Sequence, residues 1–166
     1  MKSIVLVENQ KLIKKELPIP VPQKGEYLIK IRSTGVCNSD IFRGFAGGAY
    51  QYPLVMGHEI SGEVIALGSN VQKYVVGQNV VIFPLIPCGD CRACSEKRWV
   101  HCSNYDYYGS RRDGGFQEYL VVKEWNLIPF ASTINSDLAC LCEPIAVCCR
   151  AAKMLHNGSK TGEVVI

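Results

Sequence analysis

No stretch of the 166-residue chain is apolar for long enough to cross a membrane as a helix. The opening Met1-Lys-Ser-Ile-Val turns polar by Glu8, too soon for the apolar core of a secretion signal, so the expectation is a cytoplasmic protein with no membrane partner. Blocks of like charge are missing too: 18 Lys and Arg stand against 15 Asp and Glu, and the net +3 is scattered, which argues against a nucleic-acid partner. There are no repeats and no low-complexity tracts. A Gly-x-Gly-x-x-Gly turn after a strand is also lacking, with no acidic residue placed for a ribose, so no dinucleotide site is assignable. Gly158-Ser-Lys-Thr-Gly162 does not substitute, because it precedes a strand pattern and lacks Walker spacing. What remains is ordinary globular composition, 48% apolar and 20% charged, sufficient for one core, or one domain with a piece of another.

Cysteine is the exception to this plainness. There are nine, an odd number that a reducing compartment tolerates more easily than a secreted fold. Cys88-Gly-Asp-Cys91-Arg-Ala-Cys94 is followed after seven residues by Cys102. Four thiols at this spacing fit a tetrahedral zinc better than a pair of disulfides or four unrelated thiols. An ion with four protein thiolates has no open position and acts as a structural staple.

The front half reads as β-rich. Ile4–Val7, Glu26–Arg32 and Gly62–Leu67 have strand patterns, Val75–Phe83 a turn then a strand, and Gly114–Val122 one more, with a Pro18/Pro20/Pro22 stretch after the first. Short strands and Gly turns suggest a barrel. From Ser136, a candidate N-cap, the pattern turns helical through Ala151, with a kink or restart expected at Pro144. Glu163–Ile166 reads as the start of a buried parallel strand, an unfinished βαβ unit. The expected fold class is mainly β with helices, α+β.

A second set of metal-ligand types is spread more widely. Cys37 follows the 26–32 strand, His58 and Glu59 open the next strand pattern, and Glu143 lies on the downstream helix. Cys, His and carboxylate are zinc ligands, and a site using three of them plus water is open and therefore catalytic. Taken singly, Cys37 reads more readily as a small buried hydrophobe and His58 as a turn residue satisfied by backbone.

Cys37-Asn-Ser-Asp40, Gly57-His-Glu59, the four-Cys lobe, Gly114-Gly-Phe-Gln-Glu-Tyr119 and Cys142-Glu-Pro144 occur in an order and spacing that resemble the zinc-dependent medium-chain dehydrogenases. Glu143, where the alcohol-dehydrogenase branch has a third Cys, resembles the polyol, sorbitol-dehydrogenase-like branch. The run Asn104 to Tyr119, with Gly109-Ser-Arg-Arg-Asp-Gly-Gly-Phe116, is similar to the galactitol-phosphate subfamily. The resemblance implies a GroES-like catalytic barrel over 1–135 with a structural zinc lobe at 88–102. It further implies connecting helices over 136–157 and the beginning of a truncated Rossmann domain at 158–166. It also implies two zinc ions per chain. Cys88, Cys91, Cys94 and Cys102 would hold the structural one. Cys37 and His58, with Glu59 and Glu143 ligating directly or exchanging with water, would hold the catalytic one. Ser39 would relay the substrate proton, and Asp40 would support the site from behind, its alternative role being a helix cap. Ile41-Phe42-Arg43 supplies no His to extend the relay.

The implied reaction oxidises a secondary hydroxyl of a sugar alcohol or its phosphate, galactitol 1-phosphate to tagatose 6-phosphate in type, with hydride passing to NAD(H) bound by the missing domain. Arg111 and Arg112 are fit to hold the phosphate, or are simply solvated or paired with nearby acids. The alternatives are a sorbitol- or threonine-type dehydrogenase on an unphosphorylated substrate and a zinc-stabilised binding module without redox chemistry. The family implies a homo-oligomer. Residues 1–166 alone are expected to hold zinc without dehydrogenase activity.

Overall fold

Period-two burial organises the domain. Along β3 (Glu26–Gly35) Tyr27, Ile29 and Ile31 face the core; Ile60 and Val64 do so from β5 (Glu59–Leu67), and Val80 and Ile82 from β6 (Asn79–Ile82). Leu120 and Val122 of β9 (Tyr119–Lys123) and Leu127 of β10 (Leu127–Pro129) complete that face. These strands form an antiparallel five-stranded sheet in the order β10-β6-β5-β3-β9. A computed structural model describes residues 1–156; the expected turn at 158–162 and strand at 163–166 lie outside them.

A second sheet, β2-β1-β4, is built from β1 (Lys2–Glu8), β2 (Lys11–Glu16) and β4 (Leu54–Val55). Leu6, Leu54 and Met56 form its own small core, against which Phe116 packs. The segment expected to be strand from Gly114 enters its ladder only at Tyr119. Before that it stitches the sheets together, with Gly114 N donating to Val55 O, Phe116 N to Met56 O and Ile4 N to Phe116 O at 2.8–2.9 Å. The short strands β7 (Leu85–Ile86) and β8 (Asp106–Tyr107) pair below the lobe, which carries α2 (Arg92–Ser95). The buried Asn126 amide bridges toward this layer, donating to Phe83 O at 2.6 Å and Leu85 O at 2.7 Å.

Two helical features differ from the sequence reading. Asn135, not Ser136, is the N-cap of α3 (Ser136–Ala139), its side chain accepting from Asp137 N at 2.8 Å. The break falls at Cys140–Leu141 rather than at Pro144, because α4 (Cys142–His156) restarts with Pro144 inside its first turn, where a missing N–H forfeits no intrahelical bond. Residues Asn38–Phe45 form a helix, α1, that the sequence pattern does not announce. Among the described residues no helix is long and apolar enough to cross a membrane.

Candidate functional site

The antiparallel pairing of β3 with β5 puts the C-terminal end of one strand beside the N-terminal end of the other, with Gly35 opposite Glu59. Cys37, two residues beyond β3, therefore meets His58 and Glu59. Their ligand atoms all lie within 4.8 Å of one another. Local backbone demands explain the glycines here. Gly57 holds φ +90° and packs against Phe116 and Thr34, and a Cβ on Gly35 would stand 1.9 Å from Glu59 Oε2. Glu59 thus lies across a surface that only glycine leaves open.

Asp40 combines its two expected roles. One carboxylate oxygen accepts from Cys37 N at 3.1 Å, at the start of α1, and the other stands 3.5 Å from His58 Nδ1. Asp40, His58 and Glu59 are all buried. Burial disfavours the imidazolium, yet Asp40 and then Cys37 lift the His58 pKa to about 9. Burial also pushes the Cys37 thiol up, but hydrogen bonds from Ser39 and the proximity of His58 outweigh it and leave the pKa low. The Glu59 carboxyl is raised, chiefly by burial and despite His58, with Glu143 and Asp40 adding to the rise.

Glu143 is delivered by α4 after α3 docks on the β3–β5 pair, where Ser61 Oγ donates to Ser136 O at 2.8 Å and Ser33 Oγ to Asp137. It stands outside the three-ligand group but lines the same cleft, of about 460 Å³, with Ser39, Arg43, His58 and Tyr107. Tyr107 OH donates to Glu143 Oε1 at a long 3.4 Å, and its ring meets His58 edge-on at 5.9 Å. Burial first, then Glu143, holds that phenol above its usual pKa. Ser39 Oγ accepts from Arg43 Nη1 at 3.1 Å. The sequence reading passed over Tyr107 and Arg43. Tyr107 lies inside the Asn104–Tyr119 run, and Arg43 is four residues from Ser39, one helical turn on.

The two expected phosphate ligands part company. Arg112 pairs with Asp106 at 2.6 Å and lines a different cleft, so it is not turned toward His58. Arg111 stacks between Tyr50 and Tyr105.

In the lobe, Cys88, Cys91, Cys94 and Cys102 converge with all four ligand atoms within 4.8 Å, and none is in a disulfide. Sγ separations of 3.9 Å (Cys88–Cys94), 3.9 Å (Cys91–Cys102) and 3.4 Å (Cys88–Cys102) are those of a tetrahedral thiolate cage. Thiolates at the ~2.3 Å of a zinc–sulfur bond stand about 3.8 Å apart. The backbone amides of Cys94 and Ser103 draw Cys91 down to about 6, and that of Cys88 lowers Cys102. The donors suit zinc. At the second site one thiol, one imidazole and a carboxylate, with Asp40 behind the imidazole, suit it too.

A β scaffold thus carries a four-cysteine lobe and a separate Cys-His-Glu group, of which His58 lines the cleft. Residues 23–132 match the alcohol dehydrogenase GroES-like domain, and the chain belongs to that family. It is 38% identical over 167 residues to galactitol 1-phosphate 5-dehydrogenase of Escherichia coli K12, covering 100% of this chain and 48% of that one. It is 37% identical over 155 residues to L-galactonate-5-dehydrogenase of the same strain, covering 92% and 45%. The crystal structure of galactitol-1-phosphate dehydrogenase from E. coli superposes with TM-score 0.89 at 38% identity, covering 94% of this chain and 45% of that one. The chain spans about half the length of the curated relatives it matches.

Proposed function

We propose that this chain is the substrate-binding, metal-binding part of a zinc- and NAD(H)-dependent polyol dehydrogenase. Its substrate would be an acyclic sugar alcohol with an acidic end group, of the galactitol 1-phosphate kind. The observation that carries this reading is the convergence of Cys37, His58 and Glu59, with His58 also lining a cleft that contains Ser39 and Glu143. Cys37, His58 and Glu59 would hold the catalytic zinc, with Asp40 at His58 Nδ1 leaving Nε2 to ligate, and Glu143 in reach of the open side. Bound there, zinc supplies Lewis acidity to a substrate hydroxyl.

The remaining chemistry belongs to protein side chains and cofactor. Ser39 accepts the hydroxyl proton and passes its own proton to water in the cleft. Arg43 holds a permanent charge and cannot take that proton; its hydrogen bond to Ser39 Oγ fixes the oxygen and favours the electron-rich form. The two electrons of the carbinol C–H bond leave as hydride to nicotinamide, and a ketose derivative remains. The nicotinamide dinucleotide would be bound by residues outside this stretch.

Metal content separates this from a zinc-stabilised module without redox chemistry. Two zinc ions per chain, one of them lost in Cys37→Ser, support an open catalytic site. A single ion removed only by lobe substitutions would sink it. Reduction of NAD+ by galactitol 1-phosphate, catalysed by the protein that carries this chain, tests the substrate.

A further inference from the structure

Arg111 is a cation without an acidic partner among the described residues. Asp106 is taken by Arg112 at 2.6 Å, and Asp113 accepts from Val55 N at 2.9 Å. Its guanidinium carbon lies 4.3 Å from the ring centroid of Tyr50 and 4.5 Å from that of Tyr105, so two aromatic rings hold it. Nε is buried and lacks any hydrogen-bond partner. Both tyrosines and the neighbouring Ser110 line the cleft that also contains Ser39, His58 and Glu143. Arg111 thus stands behind two tyrosines of the cleft wall, and the arginine that lines the cleft itself, Arg43, is already engaged by Ser39 and Asp40.

We infer that Arg111, clamped by Tyr50 and Tyr105, is the anchor for the anionic end of the substrate, a phosphate monoester or a carboxylate, while oxidation takes place at the His58 end of the cleft. Rings stacked on a guanidinium restrict its motion and stabilise its charge, leaving the N–H edge to be shared. That edge matches the paired oxygens of phosphate or carboxylate. The anchor also has a fixed relation to the reacting end. Arg111 N donates to Tyr107 O at 3.0 Å, and the Tyr107 ring stands against His58. A cleft of about 460 Å³ suits an open six-carbon chain with one end group. Glu143 makes the reacting end unfavourable for a second negative charge, which helps to set the direction of binding.

This inference rests on the polyol reading above and names the group that selects the substrate's end. The test titrates zinc-loaded protein with galactitol 1-phosphate, galactonate and galactitol, following heat or tyrosine fluorescence, so that no turnover is needed. At least one anion should bind roughly tenfold or more tighter than galactitol, the worth of a charge-assisted hydrogen bond, and which one does so identifies phosphate or carboxylate. Arg111→Gln should abolish that preference, Arg111→Lys keep part of it, and Tyr105→Ala weaken it more than Tyr105→Phe. Arg98→Gln on the lobe controls for loss of a positive charge. Circular dichroism and zinc content exclude misfolding. Equal affinity for galactitol and both anions, or a preference that survives Arg111→Gln, overturns the assignment. Oxidation of galactitol without anion preference would leave the dehydrogenase standing and remove Arg111 from it. Anion preference without oxidation of any polyol would do the reverse.

Discussion

The lobe and the cleft use overlapping ligand chemistry to opposite ends. In the lobe four cysteines come from a span of fifteen residues, Cys88 to Cys102, folded around one short helix and a single 3-10 turn. Every donor in that group is a thiol. The donors proposed for the second site come from three different places along the chain. A cysteine caps a helix, a histidine and a glutamate begin a strand, and a second glutamate arrives more than eighty residues later. The lobe can assemble from its own sequence once metal is present, whereas the cleft site needs the barrel to be built first. On the proposed reading the local site serves stability, and the catalytic one is assembled from distant parts.

The sharpest way to break this contrast is Cys94→Ser. Structural zinc carries on the order of 10 kcal/mol of apparent binding free energy in small domains, so losing a thiolate should cost several kcal/mol, release one zinc and open Cys88–Cys102 to protease. Limited proteolysis with metal analysis checks it. Cys37→Ser should act the other way. One zinc leaves and turnover is lost, by more than the roughly 10–100-fold that outer-shell changes cost, while the protease pattern stays that of the parent.

Finer changes probe what holds the cleft together. Gly35→Ala places a methyl where the Glu59 carboxylate lies and should weaken zinc at that site about 10–100-fold in competition with a chelator, with the lobe ion unaffected. In Asp40→Asn the side-chain oxygen still accepts from Cys37 N but the charge facing His58 is gone. Zinc affinity should fall about tenfold, with little change in melting temperature. The smallest effect belongs to Tyr107→Phe. A 3.4 Å bond to Glu143 is worth no more than about 1 kcal/mol, so KM should shift by a few-fold and kcat by less.

The sequence is most readable where ligands are close together. Cys88 to Cys102 declares itself by spacing alone. Cys37, His58 and Glu59 become persuasive only as members of ordered motifs, since each has an ordinary reading on its own. Helix α1 escapes notice because Cys37 is an unusual N-cap residue, and the cap is completed by Asp40 in a position where a carboxylate also suits a metal site. Strand β2, Lys-Leu-Ile-Lys-Lys-Glu, is solvated along most of its length and has no alternating pattern to detect. Arg111 and Arg112 are adjacent and chemically equivalent in one dimension. Their separation follows from the turn that returns Arg111 and Arg112 N to Tyr107 O and from the placement of Asp106.

The glycine opposite Glu59 carries a wider implication. Because side chains alternate across a strand, sliding β3 by one residue along β5 would turn its core set outward and set Thr34 or Val36 against the carboxylate instead of a bare Cα. Ligand geometry is therefore a gauge of strand register. Two irregularities in that ladder, at Leu28/Ile29 and Ile31/Ser33, set the phase in which Gly35 arrives. An insertion or deletion between Glu26 and Gly35 would silence the metal centre without altering one ligand, whereas length changes in the loops at the cleft mouth would retune substrate choice and leave the metal in place.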